Sequence, residues 1–387
     1  MCTVEGTAAA YSVLVMVILP AVGRLIADAQ VCVAWCVCAC VCVCARANDP
    51  PSPLPSQPEV RIAAGETLVS LTSGIKPEDL GPRVLTLVLQ LAHDNEQEDL
   101  RMTAVVLLNE LASKLGRDLC NQFVSPEIFA LSEDPVFRVR KATALNMDRV
   151  LATAGGDGAR IKLMPVFLRL SRDDIWGVRK ACAEAVVTIA GAVPMEQRAA
   201  DLVPVVERFM IDKSKWVRNA ALQHVGPFIA TLRAADVTPA LMKRFIGMVP
   251  APPATGARAS AVDAGEHEMT IYCAFSFPAV VVTIGRERWP ELRELFQLLA
   301  RDVQRKVRRT LAYSLHEVAK VIGPEQAEAD LLAAFDLFLR DLDEIKMGVV
   351  AHISEFLEAL TLECRESYLP VMQEVRAGTA SGAGGRS

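Results

Sequence analysis

The sequence predicts an all-α fold: a right-handed solenoid of two-helix repeats with a period of about 39 residues. Three observations predict it. A hydrophobic-Arg pair recurs at a nearly fixed spacing. Several other positions keep the same frame. The composition, rich in Ala, Val and Leu and poor in aromatics, suits many small helices packed on one another.

The pair stands at Val60-Arg61, Leu100-Arg101, Val139-Arg140, Val178-Arg179 and Val217-Arg218, with the arginines 40, 39, 39 and 39 residues apart. It returns at Val307-Arg308 and, with Lys for Arg, at Ile345-Lys346, 38 residues on. The 90-residue gap between Arg218 and Arg308 holds one further unit and an insertion, read as a loop at residues 249–267 from its Pro, Ala and Gly content. Two residues after the basic residue comes a small side chain: Ala63, Thr103, Ala142, Ala181, Ala220, Thr310 and Gly348. Nine residues before it stands a large apolar one at Leu131, Leu170, Phe209, Leu299 and Leu337. Six before it stands Asp134, Asp173, Asp212 or Asp302. Agreement at four offsets is a poor match to chance.

Each unit reads as two helices. In "IWGVRKACAEAVVTIAGAV", Val178, Cys182, Ala185 and Val186 fall on one helical face. The turn carboxylates Asp173 and Asp174 suit the N-terminus of that helix, where they can cap free amides. The repeated arginines are expected to reach a turn Asp of their own or the adjacent unit. That makes a structural ladder of Asp134, Arg140, Asp173, Arg179, Asp212, Arg218, Asp302 and Arg308. An exposed pair of this kind contributes ~0–1 kcal/mol, so stacked apolar faces hold the array and the ladder fixes register.

The chain has 387 residues and a formal net charge of -5, which argues against a nucleic-acid binder. Seven of its 11 cysteines are Cys2 and six between Cys32 and Cys44; Cys120, Cys182, Cys273 and Cys364 are scattered through helical patterns. No disulfide framework is recognisable, so a reducing compartment is expected: the cytoplasm, with the nucleus as a second location. Residues 1–47 form an apolar Cys/Val-rich extension, with apolar runs at 7–23 and 31–45. It is open to three readings: a gene-model artefact or disordered extension, a membrane anchor within residues 7–45, or a thiolate metal site. Residues 48–58 are a Pro-rich linker, 59–376 the array of about eight units, and 377–387 a disordered tail.

A period of 39 with Asp in the turn and Val-Arg opening the second helix resembles HEAT repeats, as in the scaffold subunit of protein phosphatase 2A. "DDIWGVRKACAEA" (173–185), "FMIDKSKWVRNAALQHVGPFI" (209–229), "IYCAFSFPAVVVTIGRERW" (271–289), "KVRRTLAYSLHEVAKVIG" (306–323) and "FLRDLDEIKMGVVAHISEFL" (338–357) are similar to the regulatory subunit 1 family of protein phosphatase 4. The stretch 271–289 departs from the repeat consensus, which makes its match the more specific. The resemblance implies a non-catalytic helical scaffold that binds a phosphatase catalytic subunit and its protein substrates. A general HEAT adaptor for transport or cytoskeletal partners is the alternative. Family members usually continue with further repeats, so the array is expected to be cut at both ends.

No catalytic residue, cofactor site or metal site is expected. "AGGDGAR" (154–160) lacks the Lys-Ser/Thr of a phosphate loop and reads as an inter-helix turn. The five histidines are scattered and read as structural. Candidate partner-binding residues are Phe137, Trp176 and Trp216, one in each of three consecutive turn regions. Tryptophan is enriched in interface hot spots, while packing between adjacent repeats is the competing reading. Lys213, Lys215, Arg138, Arg172 and Lys180 make the same turns basic in places.

Overall fold

The computed structural model of the chain describes residues 16, 18–22, 57–155, 157–250 and 264–370, and it falls into two units, Met1–Pro194 and Met195–Ser387. Among the described residues every regular element is helical. None of those helices is long and apolar enough to cross a membrane. Most of the Cys/Val-rich extension, the centre of the expected loop and the expected tail lie outside the described residues.

The first unit contains α1 (Gln57–Leu71), α2 (Thr86–Ala92), α3 (Glu98–Leu119), α4 (Ser125–Leu131), α5 (Phe137–Leu145), α6 (Asp148–Ala154), α7 (Asp157–Leu170) and α8 (Trp176–Ala192). Helix α1 starts at Gln57, inside the expected linker, because a proline such as Pro58 is tolerated in a first helical turn. Second helices pack on second helices: α3 on α1, α5 and α6, and α5 on α8. The face read from the sequence is the buried one, with Val178, Cys182, Ala185 and Val186 all in the core.

The second unit contains α9 (Val203–Phe209), α10 (Lys215–Ile229), α11 (Pro239–Ile246), α12 (Ala264–Ile284), α13 (Arg293–Ala300), α14 (Arg305–Ile322), α15 (Pro324–Leu339), α16 (Asp343–Ala351), α17 (Ile353–Glu358) and α18 (Leu362–Ser367). Helix α10 packs on α12, α12 on α14, and α14 on α16 and α17. Helix α12 already begins at Ala264, within the range expected to be loop.

Two second helices are split where one helix was expected. The break between α5 and α6 falls at Asn146-Met147, and that between α16 and α17 at His352. Both lie six residues after the repeat's basic residue, Arg140 or Lys346. The first break has a tertiary cause. Asn109, buried in α3, accepts from the amides of Arg149 and Val150 and donates to Asp148 Oδ1, so it caps the start of α6 from outside the helix.

Glycine ends several second helices in one register. Gly116 (φ 78°), Gly155 (φ 33°) and Gly323 (φ 84°) each lie 15 residues after Arg101, Arg140 and Arg308 respectively. A side chain is strained at such φ, so glycine stops the helix and turns the chain towards the next one. Gly116 lies within the helical span of α3 and kinks it near its end.

The shortened 38-residue spacing also shifts one repeat. Leu131, Leu170, Phe209 and Leu299 are buried as their common position requires, but Leu337 is 41% exposed and Phe338 is buried in its place. The turn has lost one residue. The core position therefore lies eight rather than nine residues before Lys346, and the turn carboxylate is Asp341, five before it.

Candidate functional site

The turns between paired helices carry the repeated polar groups. In three repeats the arginine forms a two-toothed pair with the carboxylate of the following turn. Arg101 Nε and Nη2 donate to Asp134 at 2.7 and 3.2 Å. Arg140 does the same to Asp173 at 2.7 and 3.1 Å, and Arg308 to Asp341 at 2.7 and 3.0 Å. The third nitrogen turns inward. Nη1 of Arg140, Arg179, Arg218 and Arg308 donates to the backbone carbonyls of Asp134, Asp173, Asp212 and Asp302 respectively. Each of these guanidiniums thus braces its own turn, as Arg101 does through the Asp94 carbonyl, and those of Arg101, Arg140 and Arg308 also grip the next.

The carboxylates do not cap the helices as expected. Asp134, Asp173, Asp212 and Asp302 accept at Oδ1 from the amide two residues on, at Val136, Ile175, Ser214 and Gln304. Those are the residues before the helix, and none of these helices has a side-chain cap. The Asp closes a local turn that sets the entry angle; in Asp134 and Asp173 the same Oδ1 also accepts from arginine Nη2, while Oδ2 accepts from Nε.

The pairs are also less exposed than a surface ion pair. The Arg140 and Asp173 side chains are 19% and 10% exposed. Two parallel bonds in such a setting outweigh the surface value. Asp173→Ala should cost about 2–3 kcal/mol, because Arg140 and the Ile175 amide both lose their acceptor. Urea unfolding of the full chain checks this; an unchanged midpoint would remove the ladder from the stabilising contacts. A second expectation concerns acid. The hydrogen bond from Arg308 holds the Asp341 carboxyl below its ordinary range. A depressed carboxyl stabilises the fold above its unfolded pKa, near 4, and that stability is lost as pH falls through the folded value. Asp341→Asn should therefore lower stability at pH 7 and flatten the acid limb of the profile, read by melts from pH 7 to 2.

The aromatic candidates stand open on these turns. Phe137 opens α5, Trp176 opens α8 and Trp216 is the second residue of α10; they are 41%, 47% and 51% exposed. The core position of each helix start is instead taken by the neighbouring Val139, Val178 and Val217. Lys215 Nζ lies 5.1 Å over the Trp216 ring. Within the first unit, a groove of about 730 Å³ runs beside these turns, lined by Glu133, Asp134, Arg140, Arg169, Arg172 and Asp173 among others. Part of the basic rim is neutralised: Arg138 pairs with Glu98 at 2.7 Å, and Lys180 with Glu184.

Nucleophilic chemistry is not favoured at the buried thiols. Cys120, Cys182 and Cys273 are buried. Burial pushes the Cys120 thiol up to about 11 and raises that of Cys273 further. The sequence reading missed one cluster: His316, His352 and Glu355 come together on α14 and at the α16–α17 junction. His352 and Glu355 are spaced i, i+3, which was legible; the approach of His316 was not.

Residues 273–375 match the family model described as Protein phosphatase 4 regulatory subunit 1 middle domain, and residues 163–192 match the HEAT repeat model. Two curated relatives, Serine/threonine-protein phosphatase 4 regulatory subunit 1 of Homo sapiens and of Mus musculus, are each 42% identical over 143 residues. That alignment covers 37% of this chain but only 14% of theirs. Among solved structures, Yeast Importin-beta (Kap95p) aligns with a TM-score of 0.65 at 16% identity, over 83% of this chain and 40% of its own. Kap121p, in its complex with Nup53p, aligns with a TM-score of 0.60 at 14% identity, over 82% of this chain and 33% of its own. At such identities the likeness is one of fold. The curated relatives are regulatory subunits rather than catalytic chains. With its ladder and its helix pairs, the chain folds as an array of HEAT-type repeats, and its residues 273–375 are similar to the middle domain of regulatory subunit 1 of protein phosphatase 4.

Proposed function

We propose that this chain is a non-catalytic regulatory or scaffolding subunit that binds a serine/threonine phosphatase catalytic subunit of the protein phosphatase 4/2A type, together with protein substrates, in the cytoplasm or nucleus. The observation that carries the reading is the match of residues 273–375 to the regulatory-subunit middle domain. Repeat arrays present extended partner surfaces, and open rings at Phe137, Trp176 and Trp216 are of the type that anchors a partner. On this reading the partner's own active site supplies the chemistry, and the scaffold sets distances.

Affinity capture of the full chain from cells, with identification of bound proteins, tests the proposal. Recovery of a phosphatase catalytic chain supports it. Recovery of transport or cytoskeletal proteins with no phosphatase would favour a general adaptor instead. Trp176→Ala and Trp216→Ala should each leave helicity intact. If the rings are anchors, each should weaken capture of the phosphatase at least tenfold. A fall in melting temperature with capture unchanged would instead make the rings packing elements.

A further inference from the structure

The second unit holds a cluster of two histidines and a glutamate. His316 lies in α14 and is buried; His352 sits at the break between α16 and α17; Glu355 lies in the first turn of α17. The two imidazoles stack with centroids 4.1 Å apart and planes 14° from parallel. His316 Nε2 is 3.2 Å from Glu355 Oε2, and His352 Nδ1 is 2.9 Å from the same oxygen. All three donor atoms lie within 4.8 Å of one another. A second carboxylate, that of Glu317, approaches His316 Nε2 at 3.6 Å.

We propose that His316, His352 and Glu355 form a site for a borderline divalent transition metal of the Zn²⁺ class, with the fourth position taken by water or Glu317. Two imidazoles and a carboxylate are the donors such an ion prefers, and three protein ligands leave one position open. Tetrahedral bonds of about 2.0–2.1 Å place neighbouring donors roughly 3.3 Å apart. Both nitrogen-to-oxygen distances are already within about half an ångström of that value.

Binding requires one movement. Parallel imidazoles cannot both aim an in-plane lone pair at one ion, so a ring must leave the stack. His352 is the member free to do so: its side chain is 36% exposed and it lies at a helix break. Two features limit affinity. His316 Nδ1 has no hydrogen-bond partner, so the ligand lacks the outer contact whose loss typically costs 10–100-fold. Lys320, one turn along α14, adds a positive charge near Glu355. An ion held here would clamp α14 to the α16–α17 junction.

The test uses the full chain, stripped of metal, with accessible thiols blocked by N-ethylmaleimide because Cys36, Cys38, Cys40, Cys42 and Cys44 would compete. Zn²⁺ is titrated by calorimetry, Co²⁺ by visible absorption, and Zn²⁺-dependent melting is recorded. The expected result is one equivalent bound through nitrogen and oxygen, without thiolate charge-transfer bands, and a higher melting temperature. His352→Ala and Glu355→Gln, chosen over the buried His316, should each weaken binding at least tenfold and abolish the melting shift. Lys320→Gln should tighten it severalfold. Equal binding by the parent and both weakening variants, a thiolate spectrum lost by neither, or no saturable uptake by the folded parent would overturn the site.

Discussion

Trp289→Ala is expected to lower stability by about 3–5 kcal/mol, the range for deleting a large aromatic side chain from a packed core. Trp289 has no exposed surface and occupies the short 3₁₀ segment Arg286–Glu291 between α12 and α13. Phe277 meets its ring edge-on at 6.3 Å, and Phe296 lies 5.9 Å away. The indole Nε1 donates to Asp330 Oδ2 at 2.7 Å, an oxygen that also accepts from Arg293. The side chain thus joins α12, α13 and α15 with apolar contacts and one buried polar bond. Trp289→Phe separates these contributions: it keeps much of the volume, loses the donor, and should cost roughly 1–3 kcal/mol. Urea unfolding of both variants reads the effect. Equal midpoints for parent and Trp289→Ala would place this ring outside the stabilising core.

Gly226→Ala is the second large effect, expected near 3 kcal/mol from overpacking. In α10, a Cβ built at Gly226 would lie 2.3 Å from Ser276 Cβ and 2.6 Å from its Oγ in α12, with Phe245 at 3.1 Å. Such distances force helix backbones apart, since Ser276 has no long side chain to swing aside. Its hydroxyl is also tied back to the Tyr272 carbonyl. The mechanism makes a sharper claim than the magnitude. Ser276→Gly should recover most of the loss when combined with Gly226→Ala, because the two atoms compete for one space. A double-mutant cycle measures that coupling directly. Additive losses would mean that Gly226 acts through helix propensity or backbone freedom rather than contact.

Trp289 and Gly226 also show why the segment 271–289 departs from the repeat pattern. A standard second helix would bury a small-residue stripe against its neighbour. Here α12 is followed by a buried tryptophan in the 3₁₀ segment Arg286–Glu291, and its Ser276 is matched to a glycine one repeat earlier. The sequence could flag this stretch as unusual, since it broke the consensus. It could not say that the cause was a close helix approach.

The ladder shows the same division. Asp134, Asp173, Asp212 and Asp302, each six residues before an arginine, were visible as a repeated pattern. Which Asp an arginine would grip was left open between its own repeat and the adjacent one. The structure sends the Arg101, Arg140 and Arg308 side chains to the following turn, while their remaining nitrogens hold their own. The shift at Phe338 was also within reach of the 38-residue spacing, yet only burial shows which of Leu337 and Phe338 the core accepts.

The sequence by itself determined that this protein is a row of helix pairs. Helix period, turn carboxylates and small residues are local signals, and in a repeat protein each unit touches chiefly its neighbours, so local pattern nearly suffices. Tertiary structure alone decided where α5 and α16 break, how closely α10 meets α12, and that His316 meets His352 and Glu355. These depend on which atoms of different helices arrive at the same place. That is set by the pitch and rotation of packed helices, and no residue spacing along the chain encodes it.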